Sequence, residues 1–137
     1  MPRIEGGCLC GSVRYTSDAE PALIVNCYCR TCRKNSGSTH SYNVGLPAGS
    51  VTVTGDTATH YEDHSGASGQ PFLRHFCSRC GSHYMSEGPA YDGVVFIKAG
   101  TLDDPSGAVP HTHIWVEEKL DWVALPGSDA QFPQNPG

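Results

Sequence analysis

The sequence predicts an all-β fold, and three observations lead to this prediction. Several short segments alternate polar and apolar residues or are rich in β-branched residues, as half-buried strands are. No stretch shows the sustained 3.6-residue periodicity of an amphipathic helix. The 137-residue chain also carries 16 glycines and 10 prolines, spread at short intervals, which is typical of many short strands joined by turns.

The predicted strands follow one another along most of the chain. Residues 12–16 alternate polar and apolar side chains, residues 22–25 form a short apolar run, and residues 50–54 are rich in Val and Thr. Gly55-Asp56 fits a two-residue hairpin turn that leads into a partner strand at residues 57–61. Further strands are predicted at residues 72–76, 82–86, 93–99, 112–117 and 122–125.

The remaining segments predict loops and a single domain. Residues 64–70 are rich in Ser and Gly and are predicted to form a mobile loop, and the tail from Pro126 is predicted to be irregular. Neither an internal repeat nor a domain boundary is visible, so residues 1–137 are expected to form one domain. The apolar runs are too short to span a bilayer, and no signal peptide is visible. We therefore expect a cytoplasmic protein with no membrane partner.

Seven cysteines carry the clearest functional signal. They fall into three groups: Cys8 and Cys10; Cys27, Cys29 and Cys32; Cys77 and Cys80. A tetrahedral zinc ion with Zn–S bonds of about 2.3 Å needs sulfurs roughly 3.8 Å apart. Cysteines at i and i+2 of an extended segment point to one side, and a turn brings residues at i and i+3 together. Each group can therefore present its sulfurs to one ion.

The seven thiols divide as four plus three if each group stays whole. Joining the first pair to Cys77 and Cys80 gives a closed four-thiolate site, which is typical of structural zinc. The triplet of Cys27, Cys29 and Cys32 gives three thiolates and an open position, which is typical of catalytic zinc. The sequence thus predicts two zinc ions per chain, one structural and one catalytic.

Cysteines in such groups could also form disulfides, a redox pair or an iron–sulfur cluster. A secreted disulfide scaffold is disfavoured by the odd count and by the absence of a visible signal peptide. A redox C-x-x-C pair is disfavoured because no βαβ pattern surrounds either one. An iron–sulfur cluster stays open, since its ligands are also thiolates.

Charge argues against a nucleic-acid partner. The formal net charge is −5, and two zinc ions on seven ionised thiols would take it to about −8. Such a chain repels phosphate backbones, which supply most non-specific affinity for nucleic acids.

The combined motifs are similar to the glutathione-dependent formaldehyde-activating enzyme family, which also includes centromere protein V. The similarity covers nearly the whole chain and rests on residues 6–15 (GGCLCGSVRY), 27–37 (CYCRTCRKNSG), 76–82 (FCSRCGS), 100–105 (GTLDDP) and 113–115 (HIW). The resemblance implies several coiled antiparallel β-sheets built around the same two zinc sites. It also implies carbon–sulfur lyase chemistry, in which formaldehyde and glutathione combine as S-hydroxymethylglutathione or the adduct is cleaved.

The residues near the triplet suggest how such chemistry would proceed. A three-thiolate zinc can take a substrate thiol as its fourth ligand, or polarise an aldehyde oxygen. Arg33 and Lys34 follow the triplet and could bind the carboxylates of a glutathione-like thiol, or they form a solvated basic turn. His113 could act as an acid or base near the open site, but a hydrogen-bonded core histidine is the favoured interpretation.

Three function classes therefore remain. The leading one is a zinc-dependent carbon–sulfur lyase acting on a thiol–aldehyde adduct, with glutathione or another thiol and formaldehyde or another aldehyde as partners. The second is a non-catalytic thiol carrier. The third is a zinc-stabilised interaction module, which the open three-cysteine site argues against. The sequence leaves the oligomeric state undetermined.

Overall fold

The architecture is mostly β, as predicted, and is organised as two sheets. A computed structural model describes residues 3–136. Three strands, β1 (Ile4–Gly7), β2 (Arg14–Ser17) and β5 (Val51–Thr54), form a small antiparallel sheet in the order β1-β2-β5. Eight further strands form a large sheet: β3 (Leu23–Cys27), β4 (Ser41–Pro47), β6 (Ala58–Asp63), β7 (Phe72–Cys77), β8 (His83–Glu87), β9 (Val94–Lys98), β10 (Thr112–Ile114) and β11 (Ala130–Gln131).

The large sheet has the order β11-β10-β3-β4-β9-β8-β7-β6. Its pairs are antiparallel from β3 to β6, but β10 runs parallel to both β3 and β11. The antiparallel expectation is therefore correct for most of the sheet and fails at this edge. Residues 41–47 form a central strand that the sequence did not reveal, because Gly45 and Pro47 interrupt its apolar pattern.

Several local predictions are wrong. The strand predicted at residues 112–117 ends at Ile114, and the tail predicted to be irregular contains β11. Residues 51–54 and 58–63 do not pair as a hairpin, since β5 pairs with β2 and β6 pairs with β7. Gly55 has φ +122°, and a Cβ there would lie 2.1 Å from the carbonyl oxygen of Ser12, so the turn serves to move the chain from one sheet to the other. Residues 122–125 do not form a strand: Trp122 lies in a turn and is 74% exposed, and residues 123–125 are irregular.

The core is shared by the two sheets. Tyr15 of β2 stacks on Tyr84 of β8 with ring centroids 6.2 Å apart, and both rings are fully buried. Aliphatic side chains of the central strands, including Val44, Leu46 and Ile97, complete the cluster. Burying each such side chain contributes about 1.5–3 kcal/mol. This packing fixes the sheets that carry the cysteines.

Residues 3–136 contain one α-helix, α1 (Arg30–Ser36), which was not predicted. It has no buried apolar stripe, so its residues show no helical periodicity. Its ends are well defined: the sulfur of Cys29 accepts a hydrogen bond from the backbone N–H of Cys32, and Gly37 ends the helix at φ 66°. Among the described residues, no helix has the length and apolar character needed to cross a membrane.

Candidate metal centres

The first cluster brings together the first and the last pair of cysteines in the sequence. Sγ of Cys10 lies 3.6 Å from Sγ of Cys8 and 3.8 Å from Sγ of Cys77, and Cys80 completes a set whose sulfurs lie within 4.8 Å of one another. These separations match those needed around one tetrahedral zinc ion. The cysteines of both clusters are free thiols. The four residues are thus brought together as predicted.

Backbone donors surround the sulfurs of this cluster. Cys77 ends β7 and starts a tight turn in which the N–H groups of Arg79 and Cys80 point at its sulfur, at 3.3 and 3.5 Å. Gly81 closes the turn at φ +79° with its N–H on the carbonyl of Cys77. The N–H of Val13 likewise lies 3.3 Å from the sulfur of Cys8. Such donors favour thiolates over thiols, so the site fits a cation.

Two hydroxyl groups add to this effect. Ser12 Oγ lies 3.0 Å from the sulfur of Cys10 and 3.4 Å from that of Cys77, and Thr57 Oγ1 lies 3.3 Å from the sulfur of Cys77. The hydrogen bonds that Cys77 makes with the hydroxyls of Ser12 and Thr57 lower the pKa of Cys77 to about 5. Hydrogen bonds from Ser82 lower the pKa of Cys80 to about 7. Sequence reasoning missed these hydroxyl contacts, because Ser12 and Thr57 are far from Cys77 in the chain.

The second cluster lies where β3 meets α1. Cys27 is the last residue of β3, Cys29 caps the helix, and Cys32 lies one turn into it. Their three sulfurs lie within 4.8 Å of one another. Hydrogen bonds from the thiols of Cys27 and Cys29 hold the pKa of Cys32 well below its ordinary value, and the positive charge of Lys98 acts in the same direction. The predicted triplet is therefore assembled, with three thiol donors.

A cavity of about 360 Å³ opens directly on the second cluster. Its floor is one face of the large sheet. Two rows of directly opposed residues form this floor. One row runs from Val25 on β3 through Asn43 on β4 to Lys98 on β9. The other runs from Phe96 on β9 through Ser86 on β8 to Arg74 on β7. Residues 65–68 of the loop after β6 and the ring of Trp115 form walls. The cluster thus faces a space large enough for a small-molecule ligand.

Two cations lie on the floor of this cavity. Lys98 donates from Nζ to Oδ1 of Asn43 at 2.7 Å, and burial lowers its pKa to about 8. Arg74 is 5% exposed, and its Nε donates to Oδ2 of Asp63 at 2.9 Å. Oδ1 of Asp63 accepts hydrogen bonds from the backbone N–H and the hydroxyl of Ser65. The floor of the cavity is therefore positively charged.

Arg33 and Lys34 lie on α1 and do not line the cavity, whereas their neighbours Arg30 and Thr31 do. Lys34 is exposed and Arg33 partly so. Their role as substrate contacts stays a prediction.

His113 is a hydrogen-bonded core residue, which was the favoured interpretation of the sequence. It is 3% exposed, its Nε2 lies 2.8 Å from Oδ2 of Asp129, and its Nδ1 lies 3.1 Å from the hydroxyl of Tyr28. Since Tyr28 stands between Cys27 and Cys29, this chain of contacts anchors the cysteine segment to β10.

The fold and site together define a class of protein: a mostly β protein with a four-thiol and a three-thiol cluster, each able to hold a metal ion. Residues 3–118 match the family model described as "Glutathione-dependent formaldehyde-activating enzyme". A Halomonas elongata protein named "Putative glutathione-dependent formaldehyde-activating enzyme" is 32% identical over 127 residues, which is 89% of this chain and 80% of that protein. The chain belongs to this family.

A solved structure shares the fold. The crystal structure of a Rhodobacter sphaeroides protein superposes with a TM-score of 0.57 over 72% of this chain and 87% of that one, at 18% sequence identity. This similarity concerns the fold alone.

Proposed function

We propose that this protein is a zinc-dependent carbon–sulfur lyase that forms or cleaves a thiol–aldehyde adduct, with S-hydroxymethylglutathione as the type substrate. The observation that carries the proposal is the three-thiol cluster of Cys27, Cys29 and Cys32, which opens on the cavity. Membership of the family supports the pairing of glutathione with formaldehyde.

The donor set fits zinc at both clusters, because soft thiolates select this ion over magnesium or calcium. Cys8, Cys10, Cys77 and Cys80 would hold a structural ion. Cys27, Cys29 and Cys32 would hold the catalytic ion, which, when bound, supplies an open coordination position that favours a thiolate or polarises a carbonyl oxygen.

The reaction needs little from the protein besides positioning. In the forward direction the thiol sulfur forms a bond to the aldehyde carbon, the C=O π bond breaks, and the proton lost by the thiol ends on the new alcohol oxygen. Cleavage is the reverse. Holding the two reactants in one enclosed cavity converts a bimolecular step into an effectively unimolecular one. The rings of Phe96 and Trp115 give part of this space an apolar lining.

Exchange NMR spectroscopy of formaldehyde with glutathione tests the proposal. Wild-type protein loaded with zinc should accelerate exchange between free formaldehyde and the adduct above the uncatalysed rate. Cys32→Ser should return the rate to that of the blank. Asn35→Ala, an exposed change on the same helix, serves as the matched control and should keep the wild-type rate.

The same experiment distinguishes the alternative functions. Equal exchange rates in wild type, Cys32→Ser and blank would overturn the enzyme proposal. A thiol carrier would then show glutathione binding without turnover, and an interaction module would show neither.

A further inference from the structure

Two polar groups on the cavity floor are buried without a partner. Nη1 of Arg74 and Oγ of Ser86 have no hydrogen-bond partner within residues 3–136. Arg74 is 5% exposed and Ser86 is fully buried. Both line the cavity, and they are direct neighbours across β7 and β8. Buried polar groups in folded proteins are nearly always paired, so two adjacent unpaired groups facing a cavity point to a ligand.

The guanidinium is held in a fixed position. Its Nε is engaged by Oδ2 of Asp63, and its Cζ lies 5.0 Å above the ring of Phe72. The backbone N–H and the hydroxyl of Ser65 both donate to Oδ1 of Asp63, which holds the carboxylate on the Nε side of the guanidinium. A guanidinium fixed by one carboxylate and presenting a free N–H is suited to bind a second carboxylate.

The surroundings favour an anion. Lys98 lies on β9, one strand beyond Ser86, and adds a second positive charge to the cavity floor. The Arg74–Asp63 pair is neutral as a whole, and Lys98 adds a positive charge that it shares with the thiols of the three-cysteine cluster. A carboxylate bound beside Arg74 would therefore meet two cations.

We infer that Arg74, Ser86 and Lys98 form a carboxylate-binding subsite for the far end of a peptide-sized thiol substrate whose sulfur lies at the three-cysteine cluster. This inference rests on the proposed function, because it assigns the other end of the same substrate. Nη1 of Arg74 and Oγ of Ser86 donate to the carboxylate, and Lys98 contributes its charge.

The spacing of the strands sets the size of the substrate. Cys27 lies on β3 and Arg74 on β7, which is four strands away in the order of the sheet. At about 4.8 Å per strand the backbone positions are roughly 19 Å apart. A tripeptide extends about 10 Å, and the long side chain of Arg74 covers part of the rest. A two- or three-carbon mercapto acid is too short to engage both ends.

Calorimetric binding of S-methylglutathione and of its diethyl ester, in which both carboxylates are neutralised, tests the subsite. S-methylglutathione has no thiol, so its binding reports the carboxylates and not the chemistry at the cysteines. Zinc-loaded wild type should bind the free acid at least about tenfold more tightly than the diester, as expected for loss of a charge-assisted hydrogen bond. Ser86→Ala and Lys98→Met should each reduce this preference several-fold.

Two further variants keep the test decisive. Arg3→Met removes one positive charge from the small sheet, where Arg3 pairs with Asp18, and should keep the full preference. The double variant Asp63→Asn/Arg74→Gln removes the buried pair together, so it avoids an uncompensated charge, and should abolish the preference. Thermal melting confirms that each variant is folded.

The outcomes separate this inference from the proposed function. Equal or undetectable binding of the two ligands by wild type, or an unchanged preference in folded Ser86→Ala and Lys98→Met, would overturn the subsite. Intact preference combined with no acceleration of formaldehyde exchange would overturn the proposed reaction and leave the subsite standing.

Discussion

The sulfur of Cys10 lies 3.8 Å from the sulfur of Cys77, although 67 positions separate the two residues in the chain. Cys10 follows β1 in the small sheet, and Cys77 ends β7 in the large one. A metal ion held here therefore joins the two sheets, whereas an ion at Cys27, Cys29 and Cys32 joins only β3 to the adjoining helix.

The two clusters should consequently differ in their effect on stability. Cys77→Ser is expected to abolish soluble folded protein, because a closed metal site contributes directly to folding. Cys29→Ser is expected to leave a folded domain with reduced zinc content. Melting curves and metal analysis of both variants check this. Equal loss of stability would contradict the assignment of structural and catalytic roles.

Metal content offers an independent prediction. Purified wild-type protein should carry two zinc ions per chain, and the triple variant with serine at positions 27, 29 and 32 should carry one and remain folded. Elemental analysis by mass spectrometry measures both values. A single ion in well-folded wild type would contradict the two-site model, and visible absorption from bound iron would contradict zinc.

Much of the site could be predicted from sequence because its ligands lie in short motifs. The spacing of Cys27, Cys29 and Cys32 places three sulfurs together whatever the rest of the chain does. Arg74 and Lys98 could not be predicted to share a cavity, because that depends on the register of β7, β8 and β9. The hairpin predicted at Gly55 is wrong for the same reason. The turn was predicted correctly, but long-range packing determines which strands pair on either side of it.

Because the Tyr28 hydroxyl contacts His113, its removal is expected to lower the free energy of unfolding. Tyr28→Phe leaves Nδ1 of the buried imidazole without its 3.1 Å partner, which should destabilise the fold by about 1–3 kcal/mol. Urea unfolding measures the difference. Tyr61→Phe is the matched control, since Tyr61 is 61% exposed and its change should cost less than about 0.5 kcal/mol. Equal stability of the two variants would show that the imidazole finds another partner.

The buried pair of Asp63 and Arg74 predicts a pH-dependent contribution to stability. Burial raises the pKa of Asp63, but the hydrogen bonds from Ser65 and Arg74 outweigh it and leave the pKa below its ordinary value. The folded state therefore favours the carboxylate. Its stabilisation is fully present above the unfolded pKa of about 3.9 and is lost as the pH falls through the lower folded value.

Asp63→Asn should thus be about 3 kcal/mol less stable than wild type near pH 7, because the Arg74 guanidinium loses its charged partner inside the protein. The difference in unfolding free energy between the two proteins should hold from pH 7 to 5 and shrink below pH 4. Metal loss in acid affects both proteins and cancels in this difference. Asp56→Asn, an exposed change in the turn before β6, is the control and should match wild type throughout. A difference between wild type and Asp63→Asn that persists unchanged down to pH 3 would show that the carboxylate charge does not stabilise the pair, and that the variant acts only through altered packing.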